Sequence, residues 1–288
     1  MNPEFELVFT NTRKLNSFIK VCESLCCHSD TALMKVKKKG IYILLTDFES
    51  YCSVETRVTT LSGMRLTLHV QQFTAKILLD YFVDELKKLC RLKRQVVIVG
   101  EPNHVVKVKE YQPGHQHGGN DAVRIKSTEH RPRVFHILST RQFVAKSQDC
   151  VQFRIMNSEF NKIITTQAIL SGINGGVGAL RVYPKPDEKT CDIQFALRND
   201  GGNFGVTTIS TSTISEDVPI LRMPSKNIEI VYFVTYLKRS QSILSFPTDY
   251  VTVYVSERGI FFHTDIKDGL CTVFFTCNID QVDLDSYV

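Results

Sequence analysis

Four residues that could ligate a metal fall within seven positions: Cys22, Cys26, Cys27 and His28. Thiolate and imidazole are the ligands zinc prefers, but a structural zinc site needs four of them, usually as two spaced pairs. No second pair follows at such a spacing, and Cys22 continues the apolar stripe of a helix, so the expected site is none. His115-Gln116-His117 offers two imidazoles inside the glycine- and histidine-rich run Gln112 to Asn120, which reads as an exposed loop. Gly172-Ile-Asn-Gly-Gly-Val-Gly178 is rich enough in glycine to approach a phosphate closely. A phosphate cradle also needs the amides of a following helix and a Lys-Ser/Thr pair. Here a strand pattern follows, so the segment reads as a turn. Gly-x-Ser-x-Gly and His-Glu-x-x-His are both absent, and no carboxylate pair sits in a recognisable catalytic motif. The sequence therefore predicts no catalytic residues, no metal and no cofactor.

Charge is the chemistry that remains. Against 30 acidic residues stand 35 Lys and Arg, a formal net charge of +5. That excess permits a polyanionic partner without requiring one, so the positions of the cations decide. The nine cysteines are odd in number and irregularly spaced. This suits reduced, mostly buried thiols better than a disulfide framework. No apolar run reaches the roughly eighteen residues that a membrane span requires, and Met1 to Glu6 has no secretion-signal pattern. An intracellular protein is expected. With 43% hydrophobic residues in 288, the chain can bury a sizeable core in one large domain or two of moderate size.

The elements that would position the cations follow from periodicity. Phe5 to Phe9 reads as a strand. Asn11 or Thr12 can cap the helix after it. There Leu15, Phe18, Ile19, Cys22 and Leu25 form one apolar face, with Arg13, Ser17, Lys20 and Ser24 opposite. Thr31 to Lys37, Ile41 to Asp47 and Tyr51 to Val58 read as strands, with a hairpin turn at Gly40. After a strand at Arg65 to Val70, a second helix is expected over roughly Gln71 to Leu89. Its buried stripe would be Phe73, Ile77, Leu78, Tyr81, Phe82 and Leu86, leaving Gln72 and Lys76 on the polar side. Val96 to Val99, Val105 to Lys109 and Val123 to Lys126 complete a set of short strands.

The second half repeats this order. A strand at Val151 to Ile155 leads into a helix capped by Asn157 or Ser158, with Phe160, Ile163 and Ile164 buried and Lys162 exposed. Strands follow at Leu180 to Tyr183, Asp192 to Leu197 and Phe204 to Ser210. Lys226 to Phe233 runs as a strand into a helix over Val234 to Leu244. Val251 to Ser256, Gly259 to Thr264 and Thr272 to Ile279 close the chain as strands. Both halves thus read strand, helix, strands, then strand, helix, strands, an internal duplication. It divides the chain into a first domain at 1–128, a connecting segment at 129–149 and a second domain at 150–288.

Two segments resemble the sliding-clamp family of proliferating cell nuclear antigen. Val151-Gln-Phe-Arg-Ile-Met-Asn-Ser-Glu-Phe-Asn-Lys-Ile-Ile164 is similar to the strand, cap and helix that open the family's second domain. Ile228-Glu-Ile-Val-Tyr-Phe-Val-Thr-Tyr-Leu237 is similar to the strand and helix that open its last quarter, and Tyr250 to Ile279 to its closing strands. The order of elements extends the likeness over nearly the whole chain. There are departures. The connecting segment lacks the Gly-Ile-Pro-Glu-like loop, and the second helix ends in the basic run Lys87-Lys88-Leu89-Cys90-Arg91-Leu92-Lys93-Arg94. The acidic, Pro-Lys-containing tail is absent. Asp283-Leu-Asp-Ser-Tyr287 faintly resembles the acidic stretch after the core of one checkpoint-clamp subunit.

The resemblance implies an α+β, duplicated DNA-clamp fold, with helices on the inner face and antiparallel sheets on the outer face. It implies a non-enzymatic, nuclear subunit of a ring around double-stranded DNA, touching phosphates without reading bases. Arg13, Lys14, Lys20, Lys76, Lys162, Lys238 and Arg239 would supply those contacts. Val123, Ile125, Phe204, Val206 and Ile209 would lie on the edge strands that join subunits. Phe135, Ile137, Leu138 and Phe143 would form a groove for partner peptides. The departures favour a subunit of the DNA-damage checkpoint clamp, a hetero-oligomer of three different chains served by a clamp loader and by checkpoint and repair proteins. A polymerase processivity factor, cellular or viral, is the alternative, and an enzyme on a duplicated α+β scaffold is the second.

Overall fold

The computed structural model describes residues 3–46, 52–59, 63–111, 150–172, 176–199, 202–212, 219–244, 248–257, 259–265 and 271–277. These divide into two compact units, one built on 3–46 and 54–111 and the other on 150–265.

The first unit runs β1 (Phe5–Phe9), α1 (Thr12–Cys26), β2 (Thr31–Lys37), β3 (Gly40–Thr46), β4 (Cys52–Thr59), β5 (Met64–Leu68), β6 (Phe73–Leu78), α2 (Leu79–Arg91), β7 (Val96–Glu101) and β8 (Val105–Glu110). Its strands form two four-stranded arrays, β5-β1-β7-β8 and β6-β2-β3-β4. The second unit runs β9 (Cys150–Met156), α3 (Asn157–Leu170), β10 (Val177–Lys185), β11 (Thr190–Asn199), β12 (Gly202–Ser212), β13 (Ile220–Arg222), β14 (Ile228–Phe233), α4 (Val234–Arg239), α5 (Gln241–Leu244), β15 (Tyr250–Ser256) and β16 (Gly259–Asp265). Its arrays are β13-β9-β15-β16 and β14-β10-β11-β12. Element for element the two strand orders are identical, so the duplication is one of topology. A further strand, β17, spans Cys271–Cys277.

The duplication extends to register. Leu78 pairs with Thr31, the first residue of β2, and Phe233 pairs with Val177, the first residue of β10. In each case the next residue begins a helix. Its amide donates to the carbonyl just before the paired strand, Leu79 to Asp30 at 2.8 Å and Val234 to Gly176 at 2.9 Å. Neither helix has a side-chain cap; the sheet satisfies one of the amides a helix start leaves unpaired.

Aromatic side chains fill each core. In the first unit Phe5 meets Phe73 at 4.8 Å, Phe9 meets Phe18 at 5.3 Å, and Phe18 meets Phe82 edge-on at 6.3 Å. Through its two rings β1 thus meets β6 on one hand and α1, itself packed on α2, on the other. In the second, Phe160 of α3 meets Phe262 at 4.9 Å and Phe195 at 6.2 Å. Each unit also places a glycine opposite a ring. A Cβ on Gly100 would fall 2.2 Å from Phe5, its register partner, and one on Gly178 would fall 2.5 Å from Tyr232. The Tyr232 hydroxyl is buried and donates to Gln167 of α3.

The structure corrects four expectations. The second helix does not begin near Gln71. Residues 73–78 are β6, paired along its whole length with β2, and the helix starts at Leu79. Lys76 is therefore a strand residue. Leu78 and Tyr81, expected in the helix's buried stripe, are 46% and 42% exposed. Ser24, expected on the polar face of α1, is buried and donates to the Val21 carbonyl at 2.7 Å. Asn157 does not cap α3. It is the first helical residue, and its buried side chain donates to the Leu244 carbonyl at the end of α5, 2.7 Å away. The helix expected over Val234 to Leu244 is broken at Ser240, whose hydroxyl turns back to the Leu237 carbonyl.

Candidate nucleic-acid interface

Asn11 starts α1, accepting at its side chain from the amides of Arg13 and Lys14 at 2.8 and 3.4 Å. The cap sets the phase of the helix. With Leu15, Phe18, Ile19, Cys22 and Leu25 buried, the exposed stripe carries Arg13, Asn16, Lys20 and Cys27. Lys14 turns off that stripe, with its stem beside Gly63. Glu23 joins α1 to α2 through Lys87 at 2.7 Å, and Cys90 donates to Asn16 at 3.0 Å. The exposed face of α2 is divided by charge. Asp80 lies in its first turn and Lys88 and Arg91 in its last, each placed where the helix dipole favours it, with Asp84 one turn beyond Asp80. Lys88 and Arg91 were legible only as part of a basic run; where α2 begins decides that they face solvent.

In the second unit, α3 exposes Lys162, but that cation is neutralised by Glu159 one turn earlier, 2.7 Å away. Lys238 is exposed and Arg239 half-buried at the end of α4. Gln241 donates to Thr165 at 2.7 Å and ties α5 to α3. The expected cations thus divide. Arg13, Lys20, Lys162 and Lys238 stand on exposed helix faces, Lys14 and Arg239 are partly covered, and Lys76 belongs to a sheet.

The edge expected at Phe204 to Ile209 is β12. It is the outer strand of its array, and across its eleven residues it has no charge and no proline. Other outer strands are protected: β6 carries Lys76, β8 carries Lys107 and Lys109, β14 carries Glu229, and β13 has only three residues. A long, uncharged edge is a template for pairing. Phe204 and Val206 are 39% and 49% exposed. Ile209 is half-buried opposite Ile193 of β11. Leu170, at the end of α3, lies over Gly205 of β12, and both it and its chain neighbour Ile169 are exposed. Neither α3 residue stands out in the sequence, since only tertiary packing brings the end of α3 to β12. Val123 and Ile125, and the groove residues Phe135, Ile137, Leu138 and Phe143, lie outside the described residues.

Among the described residues no three His, Cys, Asp or Glu side chains are arranged to hold a metal. Burial pushes the Cys22 thiol well above its ordinary range. Burial, helped by the Asp80 carboxylate, raises Cys26 to about 12. Protonated thiols are poor metal ligands. His115 and His117 lie outside the described residues.

No protein-family model matches the sequence, and neither does any curated protein. Solved structures do match. One is the proliferating cellular nuclear antigen of Entamoeba histolytica, 14% identical, with a TM-score of 0.65 over 96% of this chain and 99% of that one. Another is a PCNA2–PCNA3 complex from Sulfolobus tokodaii, 13% identical, with a TM-score of 0.63 over 95% of this chain and 98% of that one. At such identities the likeness is one of fold, and it runs nearly end to end: the chain has the duplicated α+β fold of the sliding clamps.

Proposed function

We propose that this chain is a subunit of a ring that encloses duplex DNA and serves as a non-catalytic platform for other proteins. The observation that carries this reading is the fold, shared with clamp structures over at least 95% of this chain. In this reading the cations of the helices face the DNA: Arg13, Lys14, Lys20, Lys162, Lys238 and Arg239, with Lys88 and Arg91 of α2. Phosphate contacts of this kind are sequence-independent and weaken with salt. The unprotected β12, with Phe204, Val206, Leu170 and Ile169, is the edge offered to a neighbouring subunit. Val123 and Ile125 would form the edge that receives it. Phe135, Ile137, Leu138 and Phe143, in the connecting segment 129–149 between domains at 1–128 and 150–288, would line the partner-peptide groove.

Retention on DNA tests the reading. A closed ring stays on nicked circular DNA after loading and slides off the same DNA once linearised. Equal loss from both forms counts against it.

Within that reading we favour a hetero-oligomeric clamp of the nuclear DNA-damage checkpoint, assembled with two other subunits by a clamp loader. The similar Sulfolobus tokodaii structure is a complex of two different clamp chains, which supports a mixed ring, as does the departure from the replicative pattern in the connecting segment. A stable homotrimer of the purified chain in light scattering would remove this preference. The second reading, a polymerase processivity factor, would then gain, and primer extension on a long template decides it.

A further inference from the structure

The expected helix residue Lys76 leads to a surface that the helices do not use. On β6, Phe73, Ala75 and Ile77 are buried, and Phe73 meets Phe5 of β1, the strand whose Phe9 meets Phe18 of α1. Strand side chains alternate between faces, so Thr74 and Lys76 point away from the helices. The same alternation applies across the β6-β2-β3-β4 array. Ala32, Met34 and Val36 are buried, as are Ile41 and Ile43, and Val54, Thr56 and Val58. Lys35, Lys37, Tyr42, Glu55 and Arg57 share the outward face with Lys76. Lys37 and Arg57 lie 5.7 and 5.0 Å from the centre of the Tyr42 ring. Lys38 and Lys39, both exposed, extend the patch at the β2–β3 turn.

The duplication supplies an internal control. Counting back from the last strand residue, Thr74 of β6 corresponds to Glu229 of β14, and their partners Lys35 and Arg181 correspond to each other. Arg181 makes two hydrogen bonds to Glu229, at 2.9 and 3.0 Å, and Lys185 pairs with Asp192 at 2.9 Å. Both cations of β10 on the corresponding face of the second unit are thus paired with acids. In the first unit threonine stands where the acid would be. Among the described residues no acidic group lies within ion-pair distance of Lys35, Lys37 or Lys76. Glu55, held 3.7 Å from Arg57, is the one acid in the midst of these cations. A lysine on an edge strand can be explained as protection against pairing. That accounts for Lys76 but not for Lys35 and Lys37, because β2 is an interior strand.

We propose that this outward sheet face is a second DNA-contact surface, gripping the phosphate backbone of duplex DNA that runs outside the helix-lined interface. The proposal rests on the DNA-binding reading above, since DNA is the polyanion that this reading already brings to the protein. Lys35, Lys37 and Arg57 outnumber Glu55, the one acid among them, and Lys37 and Arg57 flank the Tyr42 ring. The face is net positive and therefore suits phosphates, contacts that carry no sequence information.

The test uses the full chain and a short blunt duplex. Three proteins are compared: a sheet variant with Lys35→Glu, Lys37→Glu and Lys76→Glu, a helix variant with Arg13→Glu and Lys20→Glu, and a control with Arg181→Gln. Binding is measured across a salt series, with thermal melting to confirm folding, and lysine acetylation is mapped with and without the duplex. The sheet variant should bind at least about tenfold more weakly at low salt, and its slope of log affinity on log salt should fall by about two to three. The control should match the parent, and the duplex should protect Lys35, Lys37 and Lys76 from acetylation. If only the helix variant loses affinity and these lysines stay reactive, the second surface is overturned and the ring reading stands. If neither variant loses affinity, both fail. Protection by an acidic peptide such as poly-glutamate, and not by the duplex, would overturn the proposal in favour of a protein partner. Should the reversed triple variant melt early, Lys→Gln at the same positions gives the same readout at smaller amplitude.

Discussion

The two units carry the same strand order and the same register at the strand–helix junctions, yet they complete their helical layers differently. In the first, α2 is one continuous helix of thirteen residues with no side-chain cap. In the second, the corresponding stretch breaks at Ser240 into helices of six and four residues. The last carbonyl of the shorter one is satisfied by Asn157 from α3. A continuous helix can satisfy its interior by itself, whereas two short ones must borrow partners from neighbours. The fold therefore constrains where the helices begin, through the Leu79 and Val234 amides, and leaves their length and surface charge to local sequence.

The largest test of this comparison removes a buried ring from each unit. Phe18→Ala and Phe160→Ala should each destabilise by about 3–5 kcal/mol, read as loss of stability in denaturant titration. A much smaller loss at one of them would mean that its unit is loosely packed. Next come the glycines that face rings. Gly100→Ala and Gly178→Ala should each cost about 1–3 kcal/mol through overpacking, seen as a lowered melting temperature. An unchanged melting temperature would show that Phe5 or Tyr232 can move aside.

The asparagines sharpen the contrast between the units. Asn157→Ala strands a buried carbonyl at Leu244 and should cost about 1–3 kcal/mol. Asn11→Ala removes an exposed cap at about 0.5–2 kcal/mol. If Asn157→Ala proved the milder of the two, α5 would not depend on α3 for its end. The smallest effect belongs to the exposed pair on α3. Glu159→Gln should change stability by less than about 1 kcal/mol, while freeing Lys162 and tightening binding to duplex DNA at low salt. No change in that binding would place Lys162 away from the DNA.

What could be read from the sequence depended on whether a segment's pattern had a single solution. Phe5 to Phe9 and the helix after Asn11 were legible because alternation, cap and helical stripe agreed. The helix beginning near Gln71 was misplaced because Phe73 and Ile77 are four apart, a spacing that suits one face of a helix and also one face of a strand. Leu78 and Leu79 carry no capping signal, and only pairing with β2 resolves the ambiguity. Ser24 lay on the polar side by periodicity alone. Its burial belongs to the packing around α1, and its hydroxyl is satisfied within the helix by the Val21 carbonyl, so a polar residue could be covered at little cost.

By itself the sequence determined the duplication, most strand positions, the aromatic cores and which residues carry positive charge, because each of these is written in local periodicity and residue type. Tertiary structure alone decided which cations of the sheets are compensated. Lys162 meets Glu159 within one helix, which sequence spacing can suggest. Arg181 meets Glu229 only because β10 pairs with β14, and Lys35 faces Thr74 only because β2 pairs with β6. Electrostatic compensation across a sheet depends on register between segments tens of residues apart, and register is set by the burial of the opposite face.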